Sequence, residues 1–355
     1  MSDESRSLSV GMVGLSHLHP RSYVPLIAAL PGLKLATVAD ANAAVLDGFV
    51  KDVPVRGYSD WREMIEKERL DLALLFLPHS ECPEAAVACA ERGIHLVVEK
   101  PMAASAAGCR RMVEAARKAG VLLSTPYVWR YHPVAKQMKQ FIDEGVLGRI
   151  VGCEGRCAAG RLQRYIDGNA SWMLVKACSG GGPMYNLGVH WIDLYRWMLN
   201  DEVVEVVGKN VKVNTEYDIE DNSFGLLTFS RGAVVALDIS YTVPDSYPFG
   251  RDLGLALRGT GGALSWSPSF EGVKETLFVC SDAGGFASAP RRHVQFELQS
   301  HPGYTGILGL QFLADIEKCI RTGGPPVITG DDGVRALEVV EAIYQSAESG
   351  KAVRL

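Results

Sequence analysis

Apolar and polar positions follow one rhythm through about residue 125 and another beyond it. In the first part, short unbroken apolar runs cover 9–13, 35–39, 72–77, 95–98 and 121–124. Between them, stretches of helical period are expected over 23–30, 61–67, 84–92 and 106–118. Pro31-Gly32, Pro78, Gly93 and Ala119-Gly120 supply the stops, and Ser105 is placed to cap the fourth helix. Strands alternating with helices of this length predict right-handed βαβ units and a parallel sheet. The strands are apolar along their whole length, as expected when helices cover both faces.

After about residue 128 the pattern predicts helices over 134–144 and 188–199. Strand-like segments follow at 203–213, 224–229, 233–241, 253–258, 263–266, 277–280 and 294–298. Ser230-Arg231-Gly232 and Gly259-Thr260-Gly261-Gly262 are turn signals between neighbours. Two helices, 306–321 and 331–347, close the chain. This predicts an α+β domain with a mainly antiparallel sheet. The expected division is a parallel-sheet domain over 1–128 and an α+β domain over 129–355, with the last helix able to pack back on the first domain.

Composition adds exclusions. At about 150 residues per domain, 355 residues suit two domains. With 36 basic and 41 acidic residues the net charge is −5, and no basic stripe marks a nucleic-acid partner. No run approaches the ~18 apolar residues of a membrane span. Residues 1–7 carry acids and lack the apolar segment of an export signal, so the expected location is cytoplasmic. None of the eight cysteines forms a C-x-x-C pair, and all are expected as reduced thiols. Cys153 and Cys157 would share one face of a strand, but two ligands do not make a zinc site, and no metal is expected.

The first strand-to-helix turn reads Gly14-Leu15-Ser16-His17-Leu18-His19. Of the dinucleotide fingerprint G-x-G-x-x-G only the first glycine is present. Ser16 is small and can donate to a phosphate, whereas His19 is bulky. Asp40 ends the second strand, where a carboxylate can accept both ribose hydroxyls and would repel a 2′-phosphate, favouring NAD over NADP. His17 and His19 lack a third local ligand and are expected to line the cofactor mouth or the surface rather than bind metal.

Two further segments carry a resemblance. Glu99-Lys100-Pro101 lies just past the fourth predicted strand, and residues 180–193 read GGGPMYNLGVHWID. Together they resemble the E-K-P and G-G-G-x-x-x-D-x-G-x-H-x-x-D motifs of the glucose-fructose oxidoreductase, inositol dehydrogenase and rhizopine-catabolism (Gfo/Idh/MocA) family. Arg130-Tyr131-His132-Pro133, the turn over 145–150, Trp172 eight residues before Gly180, and the 329–333 segment extend the likeness over nearly the whole chain. The resemblance implies a Rossmann domain, a second domain with a large open-faced sheet, and NAD(P)-dependent oxidation or reduction of a sugar or polyol carbon. It implies cofactor contacts from Pro78, His79, Glu99, Lys100 and Pro101 beside Gly14, Ser16, His17 and Asp40. Cys82 stands where the family's P-N-x-x-H pattern has His.

The implied chemistry has a physical basis. A lysine of ordinary pKa, about 10.4, is a poor base, but burial and a positive nicotinamide would both favour its neutral form. Lys100 is thus the expected proton-transfer residue, and His190 is carried over as the second group facing the substrate. Asn186 stands where the family commonly has Asp; it can orient a substrate but cannot take a proton. Asp193 is expected as a structural acceptor. Arg130, Arg164 and Trp172 fall in segments that the family uses to shape the substrate pocket, and Tyr241, near the end of a predicted sheet strand, is a further candidate substrate contact. A homodimer or homotetramer is expected from the open sheet face. Two other readings stay open: an NAD-dependent glycosidase of the same fold, and a non-catalytic dinucleotide-binding regulator.

Overall fold

The computed structural model describes residues 6–244, 246–247, 250–269 and 273–355. The acidic start read above lies, through residue 5, outside the described residues. The chain forms two compact units: 6–128 with 163–180 and 301–335, and 129–162 with 181–300 and 336–355.

The first unit is built on a parallel sheet of β1 (Leu8–Val13), β2 (Leu33–Ala39), β3 (Arg56–Tyr58), β4 (Leu72–Leu75), β5 (His95–Val98) and β6 (Leu123–Ser124). The order is β3-β2-β1-β4-β5-β6, so the direction of strand addition reverses between β1 and β4. Val10, Met12, Leu72, Leu74, Leu96 and Val98 are buried, which accounts for the unbroken apolar runs. Ser105 caps the helix Ala106–Ala119 by accepting from the Gly108 amide at 3.2 Å, as expected, and Gly120 ends it at φ 68°. The helix Ala43–Asp52 and strand β3 went unread, although Asn42 caps that helix on the Ala44 and Val45 amides.

The contiguous second domain expected over 129–355 is not what forms. The segments 163–180 and 301–335 belong to the first unit. The Ser80 amide donates to the Cys178 carbonyl at 3.0 Å, the Tyr304 ring stacks on Tyr23, and the Ser124 hydroxyl donates to the Ile328 carbonyl at 2.6 Å. These ties are long-range and invisible to local pattern.

The second unit holds a nine-stranded sheet: β7 (Ile150–Ala159), β8 (Val203–Val211), β9 (Asn222–Phe229), β10 (Val234–Ser240), β11 (Arg251–Gly259), β12 (Gly262–Trp266), β13 (Lys274–Ser281), β14 (Arg291–Glu297) and β15 (Val353–Arg354). Its order is β14-β13-β12-β11-β7-β10-β9-β8-β15, antiparallel except for the β7–β10 pair. The helix Val189–Leu199 crosses one face. Trp191 donates to the Gly254 carbonyl, and a Cβ at Gly155 would collide with the Trp191 ring. Cys153 and Cys157 are both buried on this side, and neither is in a disulfide. Among the described residues no cluster of His, Cys, Asp or Glu could hold a metal ion, and no helix is long and apolar enough to cross a membrane.

Candidate active site

The turn after β1 is shaped by Gly14. Its φ is +84°, and a Cβ there would lie 2.8 Å from the Leu77 amide nitrogen and 2.9 Å from the Phe76 carbonyl carbon. Only glycine fits both the left-handed backbone and the close approach. Asp40 is buried at the end of β2 and already serves this turn. Its Oδ2 accepts from the Leu15 and Ser16 amides at 2.5 and 2.8 Å, while Oδ1 accepts from the Asn42 amide at 2.7 Å and the Ser16 hydroxyl at 3.2 Å. The carboxylate therefore fixes the turn's geometry, a role the sequence did not disclose. Beside it lies a cavity of about 420 Å³ lined by Leu15, His17, Arg21, Asn42, Phe49 and Asn169.

Ligands of such sheets bind outside the carboxyl ends of the strands at the point where the order reverses. His17 follows β1 and His79 follows β4, the two strands that flank this point; Pro78 precedes His79, and Glu99, Lys100 and Pro101 follow β5. His17, His79, Glu99, Lys100 and Pro101 are all buried. Burial drives both imidazoles toward neutrality, His17 well below its usual range and His79 down to about 4, with Lys100 adding to the effect. Burial raises the Glu99 carboxyl, opposed by His17 and by the charge of Lys100, and His19 lies 3.3 Å from Glu99. Burial and then the Glu99 charge push up the phenols of Tyr23 and Tyr304. Cys82 is buried, with its thiol on the Leu77 carbonyl and its ionisation suppressed by burial.

Trp172, expected in the substrate pocket, belongs to the first unit. Its indole N–H donates to the Ser16 carbonyl at 2.7 Å, and its ring packs on His17 and His79. With its one donor spent, it acts as a wall of the dinucleotide turn. Arg164 sits partly exposed on the short helix Gln163–Asp167, also in the first unit.

In the second unit, the glycine-rich segment is held from below by residues the sequence did not flag. The Gly182 amide donates to Glu220 Oε1 and to the Tyr344 hydroxyl at 3.0 Å each, and Tyr344 donates to Glu220. A Cβ at Gly182 would collide with the Glu220 carbonyl. The chain then makes a π-helical turn, Met184–Gly188, a form that recurs at functional sites. This turn carries Asn186, whose amide donates to the Tyr241 hydroxyl at 2.9 Å. Buried His190 follows in the first turn of the next helix.

Arg130 departs from its expected substrate role. Its Nε and Nη2 grip the Asp193 carboxylate at 2.9 and 2.6 Å, with both side chains nearly inaccessible. The fork that would bind a substrate anion is committed to a buried ion pair. Asp193 is the structural acceptor expected.

With fold and geometry in place, the comparisons give the class. The family model described as "Oxidoreductase family, NAD-binding Rossmann fold" matches residues 8–127, and the "GFO/IDH/MocA C-terminal domain" matches 135–265. The chain belongs to the Gfo/Idh/MocA oxidoreductase family. It is 24% identical over 363 residues to scyllo-inositol 2-dehydrogenase (NAD(+)) of Bacillus subtilis strain 168, covering 100% of this chain and 97% of that protein. It is 27% identical over 307 residues to myo-inositol 2-dehydrogenase of Thermotoga maritima, covering 84% of each. Its fold matches the WlbA dehydrogenase from Bordetella pertussis, solved with NADH and UDP-GlcNAcA, at a TM-score of 0.81 and 24% identity, covering 99% of each chain.

Proposed function

We propose that this chain is an NAD-dependent dehydrogenase that transfers a hydride between a CH–OH carbon of a sugar or polyol and nicotinamide. The observation that carries the reading is Lys100, buried at the carboxyl end of β5 in a dinucleotide-type sheet. The first unit fits a dinucleotide: Gly14 holds the turn after β1 in a left-handed form against the Phe76–Leu77 backbone, and buried polar atoms of His17 and His79 lack hydrogen-bond partners among the described residues. Gly14, Ser16, His17, Asp40, Pro78, His79, Glu99, Lys100 and Pro101 would hold it. The relatives' action on inositols supports a polyhydroxylated substrate.

When bound, the nicotinamide supplies the hydride acceptor. Lys100, in its neutral form, takes the substrate's hydroxyl proton on Nζ as the carbon–hydrogen pair leaves and the carbonyl forms. In reduction it returns that proton. His190 is the second residue proposed to handle the substrate proton. Asn186 orients a substrate hydroxyl, steadied by Tyr241, and Arg164 serves as a peripheral substrate contact. Asn186 cannot take up a proton, so the acid–base work rests on Lys100 and His190.

NAD is favoured because a 2′-phosphate would meet the Asp40 carboxylate, which the turn amides hold in place. Titration of cofactor-free protein should show NAD binding at least about tenfold tighter than NADP, a ~1.4 kcal/mol preference. Asp40→Asn keeps an acceptor for the amides and should narrow that gap. Equal affinities in the wild type, or NADP preferred, would overturn the assignment. A second copy of the chain is the proposed cover for the exposed apolar sheet face carrying Val207, Phe224 and Leu226.

A further inference from the structure

Glu220 and Asp221 are consecutive buried acids just ahead of β9, in the second unit. Their hydrogen bonds run to two different parts of the chain that carries Asn186. On one side, Glu220 Oε1 accepts from the Gly182 amide at 3.0 Å, and the Tyr344 hydroxyl accepts from the same amide and donates to Glu220. Burial and then the Glu220 charge push the Tyr344 phenol well above its usual range, so it keeps the proton that this bond uses. The Gly182 carbonyl accepts in turn from the Asn186 amide at 3.3 Å. One residue thus joins the Glu220 carboxylate to the π-helical turn Met184–Gly188. On the other side, the Asp221 carbonyl accepts from the Tyr241 amide at 2.8 Å, and the Tyr241 hydroxyl takes the Asn186 side-chain hydrogen at 2.9 Å. The Asp221 carboxylate is engaged by the Val213 and Asn214 amides at 2.8 and 2.7 Å, which pins the pair of acids to the chain after β8.

The contacts close into a ring: Glu220, Gly182, Asn186, Tyr241, Asp221 and back to Glu220. Every member is buried, so water does not compete for these bonds, and the placing of each group constrains the next. The ring does not run through backbone alone. It passes through the Asn186 side-chain amide and the Tyr241 hydroxyl, the two groups given to the substrate above, and the turn it holds leads directly into His190. Gly182 is committed to this arrangement, since a Cβ there would collide with the Glu220 carbonyl. Tyr344 closes the anchor from the last long helix and packs edge-on against Tyr185 in the same turn. We propose that Glu220 is a positioning residue of the substrate site: through Gly182 it sets where Asn186 and His190 stand, and through the next peptide it sets the Tyr241 hydroxyl against Asn186. The proposal rests on the dehydrogenase reading above and adds a residue that acts through others rather than on the reacting atoms. A group misplaced by about 1 Å can slow a reaction by about 10²-fold, so such an anchor bears on rate.

Three variants test it. Glu220→Leu removes the acceptor, Glu220→Gln keeps an acceptor oxygen without the charge, and Tyr344→Phe removes one hydroxyl. NAD affinity is read by calorimetric titration, and kcat and KM with NAD and the inositol, aldose or glycoside that the wild type oxidises fastest. Glu220→Leu should lower kcat at least about tenfold while NAD affinity stays within about twofold of the wild type. Glu220→Gln should keep kcat within about threefold, because the geometry survives with the hydrogen bond. Deuterium exchange read by mass spectrometry should quicken over residues 182–190 in Glu220→Leu, stay at the wild-type rate there in Glu220→Gln, and stay unchanged over β1 in both. An unchanged kcat in Glu220→Leu would overturn the proposal even if exchange quickens, leaving a purely structural tether. Equal losses of kcat and NAD affinity, or a Gln variant as slow as the Leu variant, would also overturn it. If Glu220→Leu does not fold, Tyr344→Phe decides: kcat at least about threefold lower at unchanged NAD affinity supports the proposal, and unchanged kcat overturns it. A wild type that oxidises none of these substrates would instead overturn the dehydrogenase reading, and this proposal with it.

Discussion

Arg130 illustrates how a residue type fails to disclose its role. An arginine in a family segment that shapes a pocket has the right donors for an anion, yet its fork is closed on Asp193 and both groups are buried. Removing one partner of such a pair leaves an uncompensated buried charge, which costs about 3–5 kcal/mol. Arg130→Met should therefore lower unfolding stability by about that amount in denaturant titration. A variant of unchanged stability that shows only a raised KM would restore the substrate role. Asp40, by contrast, was readable by position, but its service to the Leu15 and Ser16 amides was not, because sequence spacing does not show which groups a carboxylate will meet. Lys100 and His190 were legible through motif alone, and Glu220 and Tyr344 left no local signal at all.

At the scale of elements, period and composition identified those strands whose side chains are large. β3, β7 and β15 carry no such signal; β7 lies near the centre of its sheet, yet its sequence IVGCEGRCAA has glycines and small residues where a strand is expected to have branched ones. The reason is close packing, since a Cβ at Gly155 would collide with Trp191, Leu237 and Tyr195. The helical stretch predicted over 188–199 appears as Val189–Leu199, but the π-helical turn ahead of it has no sequence signature. The opposite face of the sheet leaves large side chains exposed. Val207 pairs across the strands with Leu226, and Phe224 lies two residues on, each at least 39% exposed. Contiguous apolar surface of this kind marks an interaction site. Light scattering should give a multiple of the chain mass, and Leu226→Asp should shift the protein toward the monomer. A monomeric wild type would remove the proposed self-association.

At the scale of the whole molecule, the alternation of strands and helices up to residue 125 was enough to give the parallel sheet, and the later change of rhythm gave the mainly antiparallel one. The assignment of 163–180 and 301–335 to the first unit was not legible, because it depends on contacts such as Tyr304 on Tyr23 between residues far apart in sequence. Family membership rests on both units, with matches over 8–127 and 135–265. Turnover is the heart of the proposed function: hydride transfer from a polyhydroxylated substrate, with Lys100 moving the proton. The most direct test mixes cofactor-free protein with NAD and a panel of inositols, aldoses and glycosides, and follows NADH absorbance together with free-sugar release. NADH should form with at least one polyol or sugar, and Lys100→Ala should abolish that formation while NAD still binds. NAD binding by the wild type with no NADH from any substrate, or free sugar released without NADH, would contradict it.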